Sequence, residues 1–165
     1  MASPRVLIAG IGNVFLGDDA FGCEVARCLA ARPRSAGVEV KDFGIRGLDL
    51  AYALHDGYDL VILVDAVQRG DPPGTVHFVE PVLPDGPGGL EMHRMDPVAV
   101  LRLAVTMGGA LPLLRLVSCE VATLEPAEDE LPCLSKPVRA AVDAAVGVIE
   151  GLLAEYLGAA HSERA

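Results

Sequence analysis

The stretch of sequence that decides the fold runs Asp59-Leu60-Val61-Ile62-Leu63-Val64-Asp65-Ala66. Between its two aspartates the aliphatic residues follow one another without a polar interruption. An unbroken aliphatic run is typical of a strand that is buried on both faces of a parallel sheet, whereas a half-exposed strand would alternate. The run Arg5–Ile11 has the same character and leads into a glycine-containing segment. We therefore predict two buried strands of a parallel sheet.

Helical patterns alternate with the strands along the rest of the chain. Further strands are predicted at Val38–Phe43, Thr75–Glu80 and Leu113–Cys119. Helices are predicted after Asp18 or Asp19, at Gly47–Leu54, after Asp96-Pro97 and after Ser135. This alternation predicts an α/β fold, a three-layer α/β/α arrangement with a mostly parallel, twisted five-stranded sheet. We expect one domain over residues 1–165, with 158–165 as a frayed tail.

Three local details are also predicted. The carboxylate of Asp18 or Asp19 is expected to cap the first helix, and that of Asp96 a later one. The segment Pro81–Glu91 is rich in proline and glycine and is expected to be an exposed loop. The inward stripe of the helix after Asp96 is predicted to consist of Val98, Leu101 and Val105.

Composition excludes several classes of function. The 165 residues include 13 basic and 23 acidic side chains, which give a formal net charge of −10. A nucleic-acid-binding protein needs a basic surface, and an acidic one also disfavours anionic membranes. No apolar run approaches the roughly 20 residues of a membrane span, so we expect a cytoplasmic protein. The cysteines form no Cys-x-x-Cys pair and are expected to be free thiols: Cys23, Cys28, Cys119 and Cys133.

Candidate functional residues follow from the parallel sheet, whose ligands bind beyond the carboxyl ends of the strands. Three segments are expected to meet there: Gly10–Gly22 with Asp18 and Asp19, the strand end at Asp65, and the loop around His93. Two carboxylates and one imidazole suit Zn²⁺ or Ni²⁺ and leave coordination positions open for a substrate or water. The other histidines look peripheral: His55, His77 and His161.

Structural alternatives stand beside this hypothesis. Asp19 can be a simple helix cap, Asp65 can bond only neighbouring backbone N–H groups, and His93 can be a solvated loop residue. A dinucleotide site is a further alternative, because Gly10-x-Gly12 follows a strand. Phe15 occupies the third glycine position of that fingerprint, and the acidic helix start would repel a pyrophosphate. Nucleotide binding is therefore the weaker interpretation.

The quoted residues resemble the hydrogenase maturation proteases. The similarity lies in Gly-Ile-Gly-Asn-x-x-x-x-Asp-Asp-x-x-Gly at Gly10–Gly22, in Val64-Asp65-Ala66, in Pro73-Gly74-Thr75, in His93 before a helix and in Leu124-Glu125-Pro126. It also includes Gly44-Ile45-Arg46-Gly47 and extends from Arg5 to about Tyr156.

The resemblance implies a specific activity. Members of this family remove the C-terminal extension of the nickel–iron hydrogenase large-subunit precursor after nickel insertion. The family's two acids and histidine match Asp19, Asp65 and His93, which would be both catalytic and metal-contacting. Nickel would be presented by the precursor, with Zn²⁺ or Cd²⁺ as possible surrogates in crystals. We expect a monomeric, metal-gated aspartic-type endopeptidase with that precursor as partner, and neither nucleic acid nor membrane.

The sequence departs from the family at two places. The family commonly has Glu where this chain has Asp19, so the carboxylate is one methylene shorter. Val121-Ala122 replaces a frequent Pro-Glu pair after the fifth strand, with Glu120 just before it. A shorter acid that failed to reach the ion would favour a non-catalytic nickel-checking or escort module, which is the second functional hypothesis.

Overall fold

A computed structural model describes residues 3–85, 96–124 and 133–162. The strands are β1 (Val6–Ile11), β2 (Val38–Gly44), β3 (Leu60–Val67), β4 (Val76–Val79) and β5 (Leu113–Glu120). The helices are α1 (Phe21–Ala30), α2 (Gly47–Ala53), α3 (Pro97–Met107) and α4 (Lys136–Ser162), and a 3₁₀ turn at Gly17–Ala20 precedes α1. The predicted alternation of strands and helices is confirmed.

The strands form one sheet in the order β2-β1-β3-β5-β4. All neighbouring pairs are parallel except β4 with β5, which is antiparallel. The predicted mostly parallel, five-stranded sheet is therefore confirmed. Because β1, β3 and β5 run in the same direction, the segments that follow them all leave from one edge, which we call the carboxyl edge.

Two apolar layers cover the sheet. One contains the buried faces of α1 and α4, packed against residues of β1 and β3 such as Ile8 and Ile62. The other contains α2 and α3, packed against residues such as Leu7 and Leu63. Alternate residues of each strand thus enter opposite layers, which explains the unbroken aliphatic runs. The expected α/β/α layering is confirmed.

The start of α1 lies unusually close to the sheet. A Cβ on Gly22 would come within 2.2 Å of the Val64 carbonyl oxygen. Gly12 has a φ of +148°, and a Cβ there would lie 1.9 Å from the Asp19 carbonyl oxygen. These glycines therefore allow the segment that carries Asp19 to pack tightly against β1 and β3.

Several local expectations were wrong. Neither Asp18 nor Asp19 caps α1, because the 3₁₀ turn intervenes and the N-cap residue is Ala20. In α3 the buried residues are Pro97, Val100, Leu101 and Ala104, whereas Val98 is exposed. The helix is rotated relative to the predicted stripe, so that its small residue Ala104 faces the core.

The ends of two other segments also differ. Helix α4 continues to Ser162, so residues 158–162 are helical rather than frayed, and 163–165 lie outside the described residues. Residues 81–85 form neither helix nor strand, and the rest of the expected loop lies outside the description. Asp96 does cap α3, because its Oδ1 accepts the Ala99 N–H at 2.7 Å. Within the described residues no helix is both long and apolar enough to cross a membrane.

Candidate active site at the carboxyl edge

Asp65 is the residue of β3 that first departs from its aliphatic run, and it remains buried, with only 5% of its surface exposed. Burial raises the pKa of the Asp65 carboxyl well above its ordinary value. A backbone hydrogen bond from Ala66 acts in the opposite direction, and the charges of Asp19 and Asp96 raise that pKa further. Asp65 is thus a buried acid whose charged neighbours are themselves acids.

Asp19 reaches the same region from the connection between β1 and α1. Its Oδ2 accepts the Asn13 N–H at 2.8 Å, and the Asn13 side chain in turn accepts the Phe15 N–H at 2.9 Å. These two bonds fold the loop after β1 back over the 3₁₀ turn. The structure therefore brings Asp19 close enough to Asp65 for the two charges to interact, as the strand order predicted.

His93 lies outside the described residues, so its proposed contact with the two acids stays a prediction. Asp96, three positions later in the sequence, is described, and its charge acts on Asp65. Sequence reasoning identified Asp96 only as a helix cap. Its effect on Asp65 depends on how α3 approaches the sheet, which no local pattern indicates.

Asp18, the neighbour of Asp19, has a different function in the fold. It is fully buried, and its carboxylate accepts the N–H groups of Ala122, Thr123 and Ser135 at 2.8, 3.2 and 2.7 Å. The Ser135 hydroxyl donates a further bond at 2.9 Å. With its oxygens occupied in this way, Asp18 ties the first loop to the chain after β5 and to the start of α4.

Cys23 lies beside the acids but is not a nucleophile. Burial and the neighbouring Asp42, followed by the charges of Asp19 and Asp65, raise the pKa of the Cys23 thiol to about 12. A thiolate is the reactive form, and it is essentially absent at neutral pH with such a value. The thiol contacts the Gly12 carbonyl at 3.5 Å and fills space under the first loop. All four cysteines are free, but only Cys23 and Cys119 are buried.

The loops after β1 and β2, which leave the sheet at the same edge as the acids, carry exposed apolar side chains. Phe15 is 71% exposed and Ile45 59%. A groove of about 700 Å³ runs beside the first loop, between Val14, Asp42 and Arg139. Exposed apolar groups next to a polar cleft are typical of a surface that binds another polypeptide. Phe15, which argues against a dinucleotide, thus faces solvent rather than the core.

The sequence analysis missed a second cluster of polar residues, which consists of Asp71, His77 and Glu120. His77 on β4, expected to be peripheral, has its Nε2 3.2 Å from Asp71 Oδ2 and 3.8 Å from Glu120 Oε2. The mistake arose because His77 meets Glu120 only through the antiparallel addition of β4 to β5. A signal was present in Glu120, the acidic residue that ends β5.

Known proteins match most of this chain. The family model described as hydrogenase maturation protease matches residues 23–152, a range that contains Asp65 and His93 and begins after Asp19. The hydrogenase expression/formation protein HupM of Azotobacter chroococcum is 34% identical over 158 residues, which cover 93% of this chain and 74% of that protein. HupD of Rhizobium leguminosarum bv. viciae is 33% identical over 148 residues, which cover 87% and 71%.

Solved structures match over a similar extent. The hydrogenase maturating endopeptidase HybD from E. coli superposes with a TM-score of 0.73 at 25% identity, covering 92% of this chain and 93% of that chain. A hydrogenase 2 maturation peptidase from a Thaumarchaeota archaeon superposes with a TM-score of 0.66 at 29% identity, covering 90% and 97%. Both superpositions therefore cover at least nine-tenths of this chain, in agreement with its α/β fold.

Proposed function

Because this chain belongs to the hydrogenase maturation protease family, we propose that it removes the C-terminal extension of a nickel–iron hydrogenase large-subunit precursor. Nickel arrives on the precursor as part of the substrate, and Asp19, Asp65 and His93 contact it. The enzyme works in the cytoplasm as a monomer that meets one precursor at a time. The observation that carries the proposal is the buried Asp65 at the carboxyl edge, within reach of a second acid.

The electrostatics of the site support a cation as the missing partner. The charges that raise the pKa of Asp65 are those of Asp19 and Asp96, both negative. A divalent ion delivered by the precursor would replace this repulsion with attraction and would favour the ionised carboxylate. Asp19 is already oriented by the Asn13 N–H. We propose His93 as the third ligand because it stands where the hydrogenase maturation proteases have their histidine.

A three-ligand set fits an ion that is partly held by another molecule, since it leaves coordination positions for groups of the precursor. Two routes of hydrolysis are compatible with these residues. The ion polarises the scissile carbonyl or lowers the pKa of a water, or Asp65 accepts the proton of the attacking water. In either route cleavage depends on nickel. Only a precursor into which nickel has been inserted would therefore be cleaved.

Docking of the precursor is proposed to use the exposed apolar loops. Phe15 and Ile45 offer side chains that a folded partner can cover. The groove beside Val14 and Asp42 is large enough for an extended segment of several residues. This surface supports a polypeptide substrate rather than a small molecule.

The experiment is a cleavage assay on the large-subunit precursor, with and without inserted nickel, read by mass spectrometry. Loss of one defined C-terminal peptide from the nickel-loaded form alone is the expected result. Asp19→Ala, Asp65→Asn and His93→Ala should each abolish the product. Asp56→Ala is the matched control, because Asp56 is an exposed acid before β3, at the opposite edge of the sheet, and should leave cleavage unchanged.

A folded His93→Ala or Asp65→Asn variant that still cleaves would overturn the site assignment. Stable binding of the nickel-loaded precursor without any cleavage by the wild-type protein would favour the escort hypothesis. Equal cleavage of precursors with and without nickel would leave a protease but would remove the metal gate.

A further inference from the structure

We propose that Asp71, His77 and Glu120 form a binding site for one divalent transition-metal cation such as Zn²⁺. The site is separate from Asp19, Asp65 and His93, and it does not depend on the proposed cleavage reaction. One imidazole and two carboxylates offer the mixed nitrogen and oxygen ligands that Zn²⁺ accepts, whereas Ca²⁺ and Mg²⁺ normally take oxygen ligands alone.

The spacing of the three side chains fits a single ion. His77 Nε2 lies 3.2 Å from Asp71 Oδ2 and 3.8 Å from Glu120 Oε2, and the three ligand atoms lie within 4.8 Å of one another. Bonds of roughly 2.1 Å in a tetrahedral arrangement separate ligand atoms by about 3.4 Å. The observed separations therefore require only small side-chain adjustments, and the exposed Asp71 can move most easily.

Glu120 provides the independent indication that a ligand belongs here. Its side chain is only 2% exposed, and its Oε2 and His77 Nε2 are buried atoms without a hydrogen-bond partner in the part of the chain that the structure describes. A buried carboxylate oxygen without a partner is unfavourable, and such groups normally pair or coordinate a metal. The unsatisfied oxygen is the one that lies nearer His77.

The other oxygen of Glu120 fixes the geometry of the site. Glu120 Oε1 accepts the N–H groups of Arg69 and Gly70 at 2.7 and 2.8 Å. The Glu120 carbonyl also accepts the Gly74 N–H at 2.8 Å, and the Glu120 N–H donates to the Thr75 carbonyl at 2.9 Å. Ligands that are held by a second set of bonds bind metals more strongly, because they need no reorganisation. An ion here would join the β3–β4 loop to the end of β5.

The site lies on the same face of the sheet as Asp65, but two strands away from it. Ser118 on β5 pairs with Asp65 on one side and with His77 on the other, so their side chains share one face. Two strand spacings separate His77 from Asp65, a distance of roughly 10 Å between their backbones. Among the described residues, Asp65 is not in the group whose ligand atoms lie within 4.8 Å of one another, so the two candidate sites are distinct.

The competing explanation is an ion pair between a protonated His77 and the two acids. An ion pair of this kind would need no metal. It predicts no dependence of Zn²⁺ binding on Glu120. The two explanations therefore differ in whether the affinity for Zn²⁺ depends on Glu120, which can be measured directly.

The test is calorimetric titration of Zn²⁺ into chelator-treated protein that carries Asp65→Asn and His93→Ala, which removes the other candidate site. We expect one Zn²⁺ per chain and a rise in the melting temperature with added Zn²⁺. Adding Glu120→Gln should raise the dissociation constant at least tenfold and remove that rise. Gln keeps the volume and an oxygen for the Arg69 and Gly70 N–H groups, so the fold should persist.

His77→Phe is the second variant and should weaken Zn²⁺ binding to the same extent. His161→Ala is the matched control, since His161 is an exposed histidine at the end of α4, and its Zn²⁺ affinity should equal that of the parent. Absence of Zn²⁺ binding by the parent would overturn the proposal. Equal affinity in the parent and the folded Glu120→Gln variant would do the same and would leave the ion pair.

Discussion

Two buried acids at the carboxyl edge have opposite surroundings. Asp18 is enclosed by donors from the chain after β5 and the start of α4, so its negative charge is fully bonded. Asp65 is almost as buried, but burial and two neighbouring acids raise its pKa. The difference teaches that burial of a carboxylate does not by itself indicate function. The number of donors around the carboxylate is what differs between these two acids.

The sharpest way to test this comparison is to replace each acid by its amide. Asp65→Asn should lower the cleavage rate of the nickel-loaded precursor by about 10³-fold or more, because it removes the charge that contacts the ion. Asp18→Asn should retain most of the activity per folded molecule. The two variants are compared by their cleavage rates, normalised to the folded fraction that circular dichroism measures. Equal losses in the two variants would remove the distinction.

The effect on stability should be the reverse of the effect on activity, with the large loss at Asp18. Asp18→Ala leaves the N–H groups of Ala122, Thr123 and Ser135 without an acceptor, and it should lower the free energy of unfolding by about 3–5 kcal/mol. Urea denaturation followed by circular dichroism measures this change. Asp143→Ala, an exposed acid of α4, is the control and should change stability by less than about 0.5 kcal/mol. A small effect at Asp18 would mean that its bonds are replaceable by water.

The pH dependence of stability follows from the raised pKa of Asp65. Below the unfolded pKa of about 3.9 the carboxyl is protonated in both states and folding is not penalised. As the pH rises above this value, the unfolded chain loses the proton while the folded protein retains it, so stability falls until the higher pKa of the folded state is reached. Metal-free Asp65→Asn should lack this fall and be more stable at pH 7 by on the order of 1 kcal/mol.

Urea midpoints of wild type and Asp65→Asn, recorded from pH 4 to pH 8 in chelator, test this sign. The two curves should converge at low pH and separate as the pH rises. A wild-type protein that gains stability relative to the variant over this range would show that Asp65 is stabilised as an anion, and it would weaken the comparison.

The smallest effect concerns binding rather than chemistry. Phe15→Ser removes an exposed apolar side chain, and it should raise KM for the precursor about tenfold with little change in kcat. Its stability should remain within about 0.5 kcal/mol of wild type. Steady-state cleavage kinetics measure KM and kcat separately and so test this prediction. Val82→Ser is the control, since Val82 is also exposed but lies after β4, away from the first loop.

Much of the fold could be predicted from the sequence because helices cover both faces of the central strands. The runs that became β1 and β3 are continuous and aliphatic, so their bounds were predicted to within a residue or so. The shared edge of Asp19 and Asp65 followed from the parallel direction alone. The face of α3 could not be predicted, because stripes through Val98 or through Val100 both satisfy helical spacing.

Long-range partners account for what the sequence missed. Asp18 bonds residues more than 100 positions away, and no local pattern distinguishes it from Asp19. His77 meets Glu120 across an antiparallel pair that the alternation of strands and helices does not imply. The contact of His93 with the acids stays a prediction. Local periodicity thus gave the elements, whereas the polar partnerships needed the tertiary arrangement.

The anchor at Asp18 has a consequence for the order of events during synthesis. Its carboxylate binds Ser135, 117 positions later, so the first loop cannot be held in place until the start of α4 has left the ribosome. An incomplete chain would contain the Asp19 segment but not the contact that orders it. A processing enzyme built in this way would become competent only after Ser135 has been synthesised and has left the ribosome.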